Sequence, residues 1–254
     1  GESPYAHWPS LDAAAQSFGG LVHANDGLVT PAIADIFPGT LMALGVVSAI
    51  HSAQRSGKGQ FLDVGMYDAM MAFQKSAVAQ YGFTGKPNPA GLQRAMTLYP
   101  FDLFPTQDGR IAIAVGQPRH WDLLCAAMER ADLMDDERSF SNEARLANVD
   151  WVEEQICAWT QTQTRAEIMA KLDGAIPIGP VQTMADIFAD PHVSARDMLE
   201  TCSPAGDNPD IALAASPIKF SQTPTTLYQR PPNLGEHNAE VLAEFGIEPS
   251  KRKD

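Results

Sequence analysis

The chain of 254 residues has little cysteine, little positive charge and no long apolar run, and each shortage removes a class of explanation. Cys125, Cys157 and Cys202 stand far apart with no CxxC pair. That excludes a disulfide framework or a thiolate zinc site and reads as reduced thiols in a cytoplasmic protein. Eighteen Lys+Arg against 31 Asp+Glu give a formal charge of −13 and a pI near 4.8. Such a surface argues against nucleic acid or an anionic membrane as partner, because phosphate binding needs clustered cations. The one basic cluster is the terminal Lys251-Arg252-Lys253. The longest apolar run, 41–50, is interrupted by Gly45 and falls short of the roughly 18 residues of a membrane span. No secretory signal pattern opens the chain. No GxGxxG, GxxxxGK[ST] or GxSxG run occurs, so a dinucleotide site, a P-loop and a serine-hydrolase elbow have no sequence support. The histidines at 7, 23, 51, 120, 192 and 237 never fall at i, i+4 spacing, and no metal site is expected.

A chain that is 44% hydrophobic and 19% charged can bury a sizeable core. A short helix is predicted over 12–18, stopped by Gly19-Gly20, with a turn at Asn25-Asp26-Gly27. A neutral, buried helix is expected over 41–55, an alternating strand over 60–66 and a helix over 67–81 whose methionines fill core. The stretch 85–96 is rich in Pro and Gly. Strands at 98–105 and 110–115 flank a hairpin signal at Thr106-Gln107-Asp108-Gly109. Helices centred near Leu124, Arg145, Ile156 and Met169 follow, then an extended segment 176–181, a helix 183–189, strands 211–214 and 218–220, and a last helix 239–245. Together the hairpin and the helices that follow it make a small α+β unit.

Two carboxylates stand out. Asp35 lies in Ile33-Ala34-Asp35-Ile36-Phe37, immediately before Pro38-Gly39 and the neutral helix. An N-cap is its ordinary reading, since free N–H groups at a helix start stabilise an anion. Its neighbours are apolar, however, and a partly desolvated carboxylate can attack an activated acyl group. Asp12, at the start of the first helix, reads as a cap as well. Gly235-Glu236-His237 reads as the entry turn of the last helix.

The string Asp35-x-x-x-Gly39-x-x-x-Ala43-x-Gly45-Val46-x-Ser48-Ala49-Ile50 continues through Arg55-x-Gly57-Lys58-Gly59-Gln60-x-Leu62-Asp63-Val64-x-Met66-x-Asp68. Further on stand Phe104-Pro105-Thr106-x-Asp108-Gly109, Ile176-Pro177-x-Gly179-Pro180-Val181, Pro217-Ile218-Lys219-Phe220 and Leu234-Gly235-Glu236-His237. In order and spacing this pattern resembles the class III CoA transferases, the formyl-CoA transferase-like or CaiB/BaiF type, from near residue 4 to near residue 248. The resemblance implies an α/β class III CoA-transferase fold, in which part of a large Rossmann-like domain joins a small α+β domain in an interlocked homodimer: a large-domain segment 1–97, the small α+β domain 98–190, and 191–254 returning to the large domain. It implies Asp35 as the nucleophile that takes up acyl and then CoA. It implies Asp12, in Asp12-x-x-x-Gln16, as a residue that orients the nucleophile or handles a proton. It also implies acyl-CoA and a small carboxylic acid as substrates, with no permanently bound cofactor, and it assigns no CoA-binding residue. Family members carry a nucleotide-fold portion ahead of the position of Gly1, so this part is expected from elsewhere, a second chain included. The α-methylacyl-CoA racemases of the same superfamily have a histidine where this chain has Leu11, which weighs against proton transfer at an α-carbon. The remaining alternative is a non-catalytic fragment or structural subunit. The family's glycine-rich loop corresponds to 88–97, where Gly91 is the sole glycine.

Overall fold

The computed structural model describes residues 2–91, 97–172, 174–203, 209–225 and 230–247. Residues 92–96 of the 88–97 loop and the Lys251-Arg252-Lys253 cluster lie outside the described residues. The chain divides into two compact units, 1–180 and 181–254.

In the first unit α1 (Asp12–Phe18) and α2 (Leu21–Asn25) are separated by Gly19-Gly20, with Gly20 in the left-handed region at φ 77°. A Cβ at Gly19 would collide with the Cβ of Met70, so this glycine lets the end of α1 press against α4 (Met66–Phe73), the fourth helix. The stretch between Gly19-Gly20 and the turn at Asn25-Asp26-Gly27 is thus helical. The next helix, α3 (Ile33–Ser56), begins eight residues earlier than the Pro38-Gly39 pair suggested. Pro38 lies inside the helix, where it leaves the carbonyl of Ala34 without its usual donor and crowds it, and its ring is buried. Gly57, at φ 69°, ends α3 by donating to the carbonyl of Ala53 at 2.8 Å.

Among the described residues only Ala34 and Pro38 of α3 are buried, while Leu44, Val47 and Ile50 are 64%, 66% and 52% exposed. The buried helix expected here thus has most of its apolar surface uncovered in this chain. By length and composition α3 is also long and apolar enough to cross a membrane. The alternating stretch 60–66 forms no strand, because no neighbouring strand among the described residues offers it a ladder, and Phe61 is 91% exposed. The predicted helix 67–81 breaks at Gln74 into α4 and α5 (Lys75–Thr84). Met70 joins Ala15, Leu21 and Ala34 in a small core flanked by Val29, Ile33, Phe37 and Met66, but Met71 points outward.

The rest of this unit has a second core. Strands β1 (Phe101–Thr106) and β2 (Gly109–Ala114) close a two-residue turn with Thr106 opposite Gly109, and β3 (Ile178–Pro180) adds to β2 antiparallel. Helices α6 (Pro118–Ala127), α7 (Asp132–Asp135), α8 (Asn142–Ala147), α9 (Val149–Thr160) and α10 (Arg165–Leu172) pack with this sheet around Phe104, Ile111, Ile113, Trp121, Leu124 and Ile156. The four helix centres read from the sequence fall on α6, α8, α9 and α10.

In the second unit Thr183 and Asp186 form a reciprocal capping box on α11 (Met184–Ala189), and Asp190 caps α12 (Pro191–Ala195). Strands β4 (Leu199–Cys202) and β5 (Ile211–Ala214) pair antiparallel, and α13 (Asn238–Glu244) follows. The strand expected over 218–220 is absent, and the pairing partner of β5 is β4, which lies before it in sequence.

Candidate active site

Asp35 and Asp12, 23 residues apart in sequence, both belong to the start of α3, Asp35 in its first turn and Asp12 through a bond to the backbone of Ala34. The N-cap position ahead of Ile33 is held by Ala32, whose side chain cannot cap the helix. Asp12 supplies the missing acceptor from α1: its Oδ1 accepts the backbone N–H of Ala34 at 2.8 Å. Ala34 is fully buried, so without Asp12 this N–H would have neither water nor protein to bond. The other oxygen, Oδ2, accepts from Nε2 of Gln16 at 2.8 Å. Asp12 is thus a cap, but of α3 rather than of the helix it belongs to, and both its oxygens are engaged.

Asp35 occupies the first turn of α3, inside the helix rather than ahead of it. Its backbone N–H donates to the carbonyl of Ala32 at 3.1 Å. Its side chain is exposed and has no hydrogen-bond or ion-pair partner among the described residues. The partial desolvation expected of it is therefore not provided by the described residues, because α1 and α4 cover the Ala34 side of this turn and leave the Asp35 side open.

Gln16 enters the sequence pattern only as a spacing from Asp12, yet it is the centre of the local hydrogen bonding. It is fully buried, and besides Asp12 its amide pairs with both backbone groups of Val29. The signal that could have singled it out is the i, i+4 spacing of a carboxylate and an amide on a helix that is otherwise apolar on that side.

Beside α1 lies a cavity of about 340 Å³, lined among others by Tyr5, Trp8, Phe18, Met66, Tyr67 and Asp68. Its rings are in contact, with centroids 5.0 Å apart for Tyr5–Trp8, 5.6 Å for Tyr5–Phe18 and 5.9 Å for Phe18–Tyr67. Neither Asp12 nor Asp35 lines it. Among the described residues no cluster of His, Cys, Asp and Glu could hold a metal ion.

Comparison with known proteins supplies the context for this arrangement. The sequence profile of CoA-transferase family III matches residues 1–238. A succinyl-CoA:mesaconate CoA-transferase of Haloarcula hispanica is 37% identical over 253 residues, covering 97% of this chain and 63% of its own length. A succinate–glutarate CoA-transferase of Agrobacterium fabrum is 34% identical over 251 residues, covering 95% of this chain and 62% of its own. The crystal structure of a CAIB/BAIF family protein from Brucella suis matches with a TM-score of 0.78 at 30% identity, over 96% of this chain and 65% of that one. The chain therefore spans a little under two thirds of the length of these relatives.

Proposed function

Because the chain belongs to CoA-transferase family III and has the α/β fold of its class, we propose that it moves CoA from an acyl-CoA thioester to a free carboxylic acid with Asp35 as nucleophile. The observation that carries this reading is the pair of environments at one helix start. Asp12 is bound at both oxygens and fixed, while the neighbouring carboxylate of Asp35 is unpartnered among the described residues and open to a substrate.

In this reading an Asp35 oxygen attacks the thioester carbonyl carbon and the C–S bond breaks, giving an acyl-aspartyl anhydride and CoA thiolate. The thiolate adds to the Asp35 carbonyl carbon, expels the donor as its carboxylate and leaves aspartyl-CoA thioester. The acceptor carboxylate then attacks that thioester and releases the thiolate. Finally the thiolate attacks the acceptor's acyl carbon, restoring the Asp35 carboxylate. No proton need be transferred at any step, which agrees with Asp12 serving as a fixed acceptor rather than as a proton carrier.

Two relatives named for succinyl-CoA or succinate together with a second dicarboxylic acid support dicarboxylates as the donor and acceptor class. The uncovered apolar length of α3 supports burial against a second polypeptide, as a homodimer would provide, and such a partner would also supply the desolvation that Asp35 lacks here. No permanent cofactor takes part, and the site acts in the cytoplasm.

The test is Asp35→Ala in a preparation that exchanges CoA between succinyl-CoA and a panel of dicarboxylates, followed by chromatography of the acyl-CoA products. Loss of exchange, together with loss of the protein-bound CoA adduct by intact mass, is the expected result. Turnover within a few-fold of the unsubstituted protein sinks the mechanism.

A further inference from the structure

We infer that Gln16 is a positioning residue for Asp35, acting through Asp12 and the first turn of α3; the inference rests on the reading of Asp35 as the nucleophile. Gln16 is fully buried, and its amide is held from two directions. Its Oε1 accepts the N–H of Val29 at 2.9 Å, and its Nε2 donates to the carbonyl of Val29 at 2.9 Å. That pairing fixes which end of the amide is oxygen, because a flipped amide would set donor against donor and acceptor against acceptor at Val29. With the amide fixed, the remaining N–H of Nε2 must point at Asp12, and the group it meets there must be an acceptor. Asp12 is thereby aligned with its second oxygen on the N–H of Ala34, the residue immediately before Asp35.

The two side chains clamp both ends of the short segment that leads into α3: Gln16 holds Val29, and Asp12 holds Ala34. A Ser or Asp at position 32 could have capped α3 locally. The chain instead takes its cap from α1, so the place of the first turn depends on a neighbouring helix and on one buried amide. A nucleophile needs this kind of restraint, since a displacement on the order of 1 Å can lower a rate about a hundredfold.

The geometry yields a rescue experiment. In Asp12→Asn the acceptor toward Ala34 is kept, but the new amide N–H₂ faces Nε2 of Gln16, donor against donor. In Gln16→Glu the new oxygen faces Oδ2 of Asp12, acceptor against acceptor. In the double variant the amide introduced at position 12 donates to the carboxylate introduced at position 16, so the bond between the two positions returns with the charge moved by one turn. The carbonyl of Val29 still lacks its donor there, so recovery is partial. Steady-state CoA exchange, thermal melting and intact-mass detection of protein-bound CoA are measured for both singles, the double and Asp35→Ala. Each single is expected to lose roughly ten- to a hundredfold in kcat with KM within about twofold, and the double to recover roughly threefold or more over the worse single. If Asp35→Ala exchanges CoA normally, the nucleophile reading fails and takes this inference with it. If Asp35→Ala is inactive while both singles keep their kcat, the inference alone is overturned. A folded double no faster than the worse single overturns it too, because restoring the bond then restores nothing. Where a single fails to fold, the double decides: folded and CoA-loaded at Asp35 supports the role, folded but unloaded overturns it.

Discussion

Arg145 belongs to α8 and is only 3% exposed, beside a core made mostly of aliphatic and aromatic side chains. Its Nε donates to the carbonyl of Tyr99 at 2.6 Å and its Nη1 to that of Ser139 at 2.8 Å. The guanidinium also lies 4.8 Å from the ring centroid of Trp121. Tyr99 leads into β1 and Ser139 follows α7, so one side chain ties three segments together. Burial pushes the guanidinium below its ordinary pKa, which is the sign of a charge held at a cost. Replacing Arg145 by Met keeps the stem and removes the charge. Two hydrogen bonds from a charged donor, at about 1.5–3 kcal/mol each, give a gross loss of about 3–6 kcal/mol. The desolvation no longer required offsets part of it, leaving a net loss of about 3 kcal/mol. Arg145→Lys should fall between, because a single ammonium lacks the planar fork that spans both carbonyls. The assay is urea unfolding of the whole chain with hydrogen exchange read at β1 and α9 amides, since a chain of two units need not unfold in one step. A loss under about 1 kcal/mol at those amides for Arg145→Met would refute the assignment of Arg145 as the tie of this core.

Burial also governs Cys125: aided by Asp122, it pushes the thiol up from 9.0 to about 12. Below pH 9 both states hold the proton; above it the unfolded thiol ionises first, so stability is lost as pH rises from 9 toward 12, and Cys125→Ala should flatten that part of the pH–stability curve. Alkylation of the native chain near pH 8 should accordingly reach the half-buried Cys157 before Cys125, and fast labelling of Cys125 contradicts its burial. Gly19→Ala places a methyl group on the Cβ of buried Met70 and should cost about 1–3 kcal/mol, seen as a lowered melting midpoint with the secondary structure kept. An unchanged midpoint would mean that α1 and α4 are not held in this contact.

Where the residue pattern carries its own local physics, the structure agrees with it. The Thr106–Gly109 turn closes a hairpin because two residues between alternating apolar runs leave one register open. Gly19, Gly57 and Gly246 end helices or near-helices where a side chain would be strained or crowded. The misreadings cluster where partners distant in sequence decide. Pro38-Gly39 reads as a break, yet α3 passes through it because the ring is buried and the helix start is capped by Asp12. Residues 60–66 alternate like a strand, and alternation without a neighbouring strand gives only extended chain.

The candidate site divides in the same way. Asp35 is legible because an acidic residue among apolar neighbours ahead of a neutral helix is locally anomalous, and the longer motif points to the same position. The part played by Asp12 is not legible, since its bond partner is 22 positions away and any helix start can use a carboxylate. Gln16 can be read only as a spacing.

Residue order alone was enough for the family, the hairpin, most helices and the two carboxylates worth asking about, because propensity, turn chemistry and motif order are properties of neighbouring residues. Folding in three dimensions was needed to make Asp12 the cap of α3 from another helix, to let Gln16 set the direction of that cap, to bury Arg145 and to leave α3 largely uncovered. Each of these depends on which surfaces the folded chain brings together and which it leaves to solvent, and a linear pattern does not contain that information.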